Sequence, residues 1–183
     1  KKHNQLKNNG VVLTKMSNPG ILKALEQNNI NYVLTDVGDK NVYAAMKQYG
    51  YIVGGESSGH IIIDHILHSG DGLLASLYIL KLLEELKLSL EDIAKEVKLY
   101  PLKMVNISNI SKDILEKDHV KEYLENYKEK LDNKGLFLVR PSGTEPLIRV
   151  TLSLEDENEL NEHIEQIVSF IKNEGASQWK DMA

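Results

Sequence analysis

The sequence contains no cysteine. Disulfides, thiolate metal sites and cysteine nucleophiles are therefore excluded, and a reducing compartment fits. Aromatic residues are scarce, 6% of the chain with 1 tryptophan, and prolines number 4. No stretch reads as a repeat or a low-complexity segment. No apolar run approaches the roughly 18 residues of a membrane span, and no signal peptide is visible. Basic residues do not dominate either. Lys and Arg total 22 against 27 Asp and Glu, giving a net charge of −5 and a pI near 5.7. No basic face for nucleic acid or anionic lipid is implied. An Asp-x-Asp-x-Asp run is missing too. The chain opens not on Met but on Lys1-Lys2-His3-Asn4, so it is expected to be a fragment or a processed product.

What is there suits a soluble globular protein. The length of 183 residues accommodates one large domain or two small ones, and 42% hydrophobic with 27% charged residues is ordinary for that class. Gly10 to Met16 reads as a buried strand. Ser17-Asn18-Pro19-Gly20 supplies helix-start chemistry for a helix ending near Asn28-Asn29. A second strand around Tyr32 to Leu34 and a helix over 39–49 follow. Strands alternating with helices at this pitch argue for an α/β layer with parallel pairing. Tyr51-Ile52-Val53 and Ile61-Ile62-Ile63 read as two more strands. Leu73 to Leu86 is a helix apolar on nearly every face, which predicts burial. Ser89-Leu90-Glu91-Asp92 begins another helix with a capping box.

Leu99-Tyr100-Pro101 breaks the pattern, and the expected division is 1–98 and 99–183. The second part reads as a β-α-β-β-α unit. Leu102 to Ile107 is its first strand, and Asn109 to Lys112 a polar break. Val120, Tyr123, Leu124, Tyr127 and Leu131 line one face of a helix that Asp132-Asn133-Lys134-Gly135 stops. Strands over Gly135 to Val139 and Leu147 to Leu154 follow. A last helix carries Leu160, Ile164, Ile167, Val168 and Ile171, ends at Asn173-Glu174-Gly175, and leaves a loosely held tail with Trp179. The fold class is thus α/β followed by α+β, the second sheet mostly antiparallel with helices on one face.

Two polar loops carry the chemistry. Arg140-Pro141-Ser142-Gly143-Thr144-Glu145-Pro146 is poorly made for a core and well made for an anion. Its glycine lets backbone N–H groups converge. Ser142 and Thr144 add hydroxyl donors, and Arg140 offers a planar fork that matches phosphate oxygens in pairs. Arg149, on the departing strand, adds a second positive charge, and Glu145 is assigned to orienting a neighbouring arginine. Read alone, the stretch serves equally as a hairpin loop of turn formers. Gly54-Gly55-Glu56-Ser57-Ser58-Gly59-His60 is the other loop. Glu56 and Ser58 offer an acceptor and a donor–acceptor for sugar hydroxyls, and His60 suits proton transfer near neutral pH. By itself this loop reads first as a glycine-rich hairpin with a surface histidine. His60, Asp64, His65 and His68 have ligand chemistry, but Ile62, Ile63, Ile66 and Leu67 interrupt them as core residues. No metal is expected there.

Taken together, the Gly-Gly-Glu-x-Ser-Gly-His run (54–60) and the Arg-Pro-Ser-Gly-Thr-Glu-Pro run (140–146) resemble the α-D-phosphohexomutases, and within them the bacterial phosphoglucosamine mutases. Met16-Ser17-Asn18, Val37-Gly38-Asp39-Lys40 and Ser69-Gly70-Asp71-Gly72 stand where that pattern places them, and the match spans nearly the whole chain. The resemblance implies a truncated α/β/α domain 3 followed by a small domain 4. It implies a cytoplasmic isomerase that interconverts glucosamine 6-phosphate and glucosamine 1-phosphate through a phosphoserine and a bisphosphorylated sugar. Gly55, Glu56, Ser58, Asp39 and Lys40 would bind the sugar, with His60 near the proton transfer. Arg140, Ser142, Gly143 and Thr144 would hold the phosphate that is not transferred, with both loops engaging one substrate. Mg²⁺ and the phosphoserine would belong to domains 1 and 2, which are expected as partners. This chain alone is then expected to hold no metal, to bind the hexosamine phosphate and to be inactive. Lys40 stands where the subfamily usually has Arg, and Ser57 where it has Gln or Asn. These departures keep a phosphomannomutase or phosphoglucomutase open as alternatives. A non-catalytic phosphosugar-binding module is the third.

Overall fold

The computed structural model describes residues 6–131 and 134–181, with side chains of the final helix described as far as residue 176. The opening Lys1 to Asn4, the helix stop at Asp132-Asn133 and the side chain of Trp179 lie outside the described residues. The chain divides into two compact units, Lys1–Leu99 and Tyr100–Ala183.

The first unit is built on a four-stranded sheet in the order β2-β1-β3-β4. Strand β1 (Gly10–Thr14) runs parallel to β2 (Asn31–Thr35) and to β3 (Val53–Gly55), whereas β4 (Ile61–Ile63) is antiparallel to β3. The parallel expectation therefore holds for three strands and ends at a hairpin. Helix α1 (Pro19–Gln27) starts on Asn18, whose side chain accepts the Gly20 N–H at 2.9 Å, with Pro19 in the first turn where its missing N–H costs nothing. Helix α2 (Asp39–Tyr49) ends on Gly50, which is left-handed at φ 68°. Its Val42, Ala45 and Met46 pack on Val12 of β1 and Ile62 of β4 to make the core of this unit.

Strand β3 lies two residues later than the apolar pattern placed it. Gly54 and Gly55 are strand members, not turn formers. A Cβ on Gly54 would stand 2.5 Å from Met46 Sδ and 2.7 Å from Val42 Cγ1, so only glycine lets α2 lie this close to the sheet.

Helix α3 (Gly72–Leu86) overturns its expected burial. Only Ala75 is buried; Leu73, Leu77 and Leu80 are 73%, 58% and 59% exposed. A helix apolar all round must be surrounded all round, and β4 is the strand of this unit that meets it. Helix α4 (Leu90–Glu96) has the expected reciprocal capping box between Ser89 and Asp92.

The second unit is a three-stranded antiparallel sheet in the order β5-β7-β6, formed by β5 (Leu102–Ser108), β6 (Gly135–Pro141) and β7 (Leu147–Leu154). Helices α5 (Asp118–Leu131) and α6 (Glu157–Asp181) supply Val120, Tyr127, Leu131, Leu160, Ile164, Ile167 and Ile171 to one core with Ile148, Val150, Leu152 and Leu154 of β7. The polar break leads into a 3₁₀ turn, Lys112–Glu116, anchored by the fully buried Ile114. Helix α6 does not end at Asn173–Gly175. Gly175 is a packing residue: a Cβ there would lie 2.6 Å from Ile110 Cδ1, so the glycine admits Ile110 against the helix and the helix continues. Among the described residues no helix is long and apolar enough to cross a membrane.

Candidate functional site

In the first unit the loop of residues 56–60 joins β3 to β4. It is pinned by two backbone bonds, Glu56 N–H to His60 O and Gly59 N–H to Glu56 O, both 3.0 Å. Gly59 takes φ +94°, which a side-chain-bearing residue rarely adopts. Glu56 is the hub. Its Oε1 accepts the Gly38 N–H at 2.7 Å, so the carboxylate sits at the start of α2, where the helix dipole favours negative charge. Its Oε2 turns toward Ser58 Oγ at 3.5 Å and His60 Nδ1 at 3.9 Å, and Ser58 Oγ lies 3.0 Å from His60 Nδ1. One carboxylate oxygen therefore builds the fold, and the other faces an exposed serine and histidine.

The same contact brings Asp39 and Lys40 beside the loop, because Gly38 opens α2 and they are its first two residues. Both are exposed. A Cβ on Gly70 would lie 3.4 Å from His60 Cβ and 3.6 Å from Asp39 Oδ2, so Gly70 stands between them. Asp71, one residue on, caps α3 by accepting the Leu74 N–H at 2.8 Å. The Met16-Ser17-Asn18 stretch is used within the fold. Ser17 is buried with its hydroxyl accepting the Thr14 N–H at 3.3 Å, and Asn18 caps α1.

Among the described residues, Asp39, Glu56 and His60 bring one ligand atom each to within 4.8 Å of one another. This donor set does not fit Mg²⁺. The ion asks for near-octahedral oxygen ligands, whereas here a ring nitrogen replaces one of them and Glu56 has already committed Oε1 to Gly38. The other candidate ligands of this stretch, His65 and His68, have structural neighbours. His68 Nδ1 lies 2.7 Å from Asp64 Oδ1, Lys47 holds the other Asp64 oxygen at 3.1 Å, and His65 meets the ring of Tyr78 edge-on.

In the second unit β6 runs on to Pro141, so Arg140 stands on a strand and not in the turn. The turn itself is braced from inside. The Ser142 N–H donates to Leu147 O and the Leu147 N–H to Glu145 O, both at 2.9 Å, while the Ser142 hydroxyl accepts the Glu145 N–H at 3.3 Å. Ser142 is only 7% exposed; its oxygen accepts within the turn, which leaves its O–H free to donate. Thr144 is exposed. A Cβ on Gly143 would meet nothing within 4 Å, which leaves the outer side of the loop open to approach.

Arg149 is the cross-strand partner of Arg140 and of Asn106. The three form a row across the sheet on the face opposite the helices. Arg149 donates its Nε–H to Asn106 Oδ1 at 3.0 Å, and its Nη2 lies 4.0 Å from Glu145 Oε2. Sequence reasoning missed one contributor, Lys112, whose ammonium donates to the Ser142 carbonyl oxygen. A lysine in a polar break carries no periodic signal. The partial clue was Lys112 standing just ahead of the buried Ile114.

The α/β/α domain III of phosphoglucomutase/phosphomannomutase matches residues 1–100, and the C-terminal domain of the same proteins matches residues 85–169. The phosphoglucosamine mutase of Bacillus cytotoxicus is 42% identical over 175 residues, covering 95% of this chain and 39% of its own length. That of Caldicellulosiruptor bescii is 42% identical over 176 residues, with 94% and 39% covered. The chain thus spans about 39% of the length of the curated relatives it matches. Among solved structures, an N-acetylphosphoglucosamine mutase of Aspergillus fumigatus superposes with a TM-score of 0.76 at 16% identity, covering 91% of this chain and 38% of that one. The same enzyme in complex with GlcNAc-6P and magnesium gives 0.74 at 16% identity, with 94% and 40% covered.

Proposed function

The chain belongs to the phosphoglucomutase/phosphomannomutase family, and from that premise we propose that it supplies the sugar-binding and phosphate-binding parts of a phosphoglucosamine mutase. The whole protein then interconverts glucosamine 6-phosphate and glucosamine 1-phosphate through a bisphosphorylated sugar. The observation that carries this reading is the 42% identity to phosphoglucosamine mutases over 95% of the chain.

The residues fit such roles. Glu56 Oε2 and the Ser58 hydroxyl accept from and donate to sugar hydroxyls, with Gly55, Asp39 and Lys40 at the rim and His60 beside the exchanging proton. Arg140, Arg149, Thr144, the Ser142 hydroxyl and the open backbone at Gly143 hold the phosphate that stays in place, and Ser142 also shapes the turn. A sugar phosphate that must present either end to one phosphoserine needs a fixed grip on its distal phosphate in both poses. Hydroxyl contacts must also tolerate both poses. The phosphoserine and Mg²⁺ that the resemblance implies are held, in this reading, by domains other than the two present here. The exposed leucines of α3 suit a further protein domain as neighbour.

The test is a chimera that places the remaining share of the Bacillus cytotoxicus relative ahead of this chain. It is assayed with Mg²⁺ and the bisphosphate activator on glucosamine, glucose and mannose phosphates. Preferential turnover of glucosamine phosphate is expected, and this chain alone should bind it without converting it. Preference for glucose or mannose phosphate would replace the substrate assignment. A folded chimera inert on all three, or turnover by this chain alone, would overturn the reading.

A further inference from the structure

Lys112 lies outside every motif in the sequence, yet it touches the centre of the phosphate loop. It is the first residue of the 3₁₀ turn Lys112–Glu116. That turn is fixed at its start by Ser111, whose hydroxyl accepts the Asp113 N–H at 3.3 Å, and below by the fully buried Ile114. From this rigid base the half-buried Lys112 donates its Nζ–H to the Ser142 carbonyl oxygen, 30 residues along the chain.

That bond completes Ser142. Its N–H is given to Leu147, its hydroxyl oxygen holds Glu145, and its carbonyl now holds Lys112. Beyond it, Gly143 and Thr144 are open to solvent before the loop is held again at Glu145. A carbonyl dipole left free beside an incoming oxyanion would repel it. An ammonium bound to that carbonyl reverses the sign of the local field. Lys112 also keeps two N–H donors, and among the described residues no carboxylate stands within ion-pair distance of it. The neighbouring Asp113 carboxylate accepts from the Ser111 hydroxyl at 3.0 Å. The loop region thus gathers Lys112, Arg140 and Arg149. These three positive charges outnumber the Glu145 carboxylate of the loop and the Asp113 carboxylate next to Lys112.

We propose that Lys112 is a positioning residue for the loop of residues 140–146, which it locks through the Ser142 carbonyl and tunes, by its charge, to the dianion of a phosphomonoester. This rests on the phosphate-binding role proposed above. A sulfate ester or a phosphodiester carries one charge and leaves the loop under-neutralised. A phosphomonoester carries nearly two above its second pKa of about 6.

The experiment titrates methyl phosphate and methyl sulfate into this chain between pH 5 and 8, following the amide resonances of Gly143 and Thr144. Lys112→Met, Lys112→Gln, Lys112→Arg and Arg140→Ala are compared with the parent. The parent should bind methyl phosphate more tightly as the pH rises through that ester's own titration, and methyl sulfate, a monoanion throughout, weakly at every pH. Lys112→Met should weaken methyl phosphate about tenfold and flatten its pH dependence. Lys112→Arg should restore both, whereas Lys112→Gln, which keeps a donor, should hold the free resonances in place without restoring affinity. Should Lys112→Met fail to fold, the Gln and Arg variants decide. Parent-like methyl phosphate affinity in Lys112→Gln, or methyl sulfate bound as tightly as methyl phosphate at pH 8, overturns the inference. If Arg140→Ala is also without effect, the phosphate reading of the loop falls first.

Discussion

Arg140 on β6 and Arg149 on β7 are direct cross-strand partners, two guanidinium-bearing residues facing each other in register on the helix-free side of their sheet. Like charges in this relation destabilise a sheet by a few tenths of a kcal/mol to about 1 kcal/mol. The protein relieves it only in part. Arg149 is drawn sideways to Asn106 at 3.0 Å and to Glu145 at 4.0 Å, and among the described residues Arg140 has no acidic partner. In the proposed phosphate-binding role, an anion at the open loop would offset the repulsion of this pair.

Arg140→Ala separates binding from stability. Losing one member of a repelling pair should leave the melting temperature of the chain unchanged or slightly raised. Losing a charge-assisted grip worth about 1.5–3 kcal/mol should weaken glucosamine 6-phosphate roughly 10- to 100-fold. Ser57→Ala, at an exposed loop tip with no bond to the fold, should change affinity by less than threefold. Calorimetric titration of the two variants checks this, and equal small effects would count against the clamp.

Helix starts were legible because caps are local chemistry: Asn18 and the Ser89–Asp92 box could be read residue by residue. The two candidate loops were legible as motifs, and so was the side of β7 on which Arg149 lies. Glycine was not. Gly54 and Gly175 read as turn and stop, because a glycine that admits a neighbour is indistinguishable from one that bends the chain until Met46 or Ile110 is in place. Nor could the pattern of α3 say what surrounds it. All-round apolarity states that a helix needs covering, not that its own unit provides the cover.

Gly54→Ala tests the first of those misreadings. The new methyl group would stand inside contact distance of Met46 Sδ and Val42 Cγ1, both on the buried face of α2. Pushing α2 off the sheet should cost about 1–3 kcal/mol. It should also disturb the Gly38–Glu56 bond at the head of that helix. Urea unfolding monitored on unit 1 would show the loss. A parent-like midpoint with unshifted Glu56 and Gly38 resonances would mean that the helix has room to spare.

The leucines of α3 test the second. Leu77→Ser and Leu80→Ser remove side chains 58% and 59% exposed, so stability should move by less than about 0.5 kcal/mol. Met46→Ala, in the fully buried core of the same unit, should by contrast cost about 2–5 kcal/mol. Sedimentation should show less self-association of the serine variants at high concentration. A large loss of stability from either serine would mean that α3 is covered after all.

His163 gives the second unit a pH-dependent stability of definite sign. Its ring lies edge-on to Tyr127, with Nδ1 2.7 Å from the Tyr127 hydroxyl, which in turn donates to Gln166 Oε1 at 2.8 Å. Burial, aided by the nearby Lys130 charge, holds its pKa below the ordinary histidine value. The unfolded chain therefore takes up this proton near pH 6.5, whereas the folded chain takes it up only at lower pH. Between those points the unfolded state binds more protons, so stability falls as the pH is lowered through that window and is fully present above it. Asp64 and Asp92, both held below the usual carboxylate range, lose their contributions at more acid pH. Urea midpoints of unit 2 at pH 7.5, 6.0 and 5.0 should decline in the parent and decline less in His163→Asn. Parallel slopes in the two proteins would show that the imidazole is as free to charge in the fold as out of it.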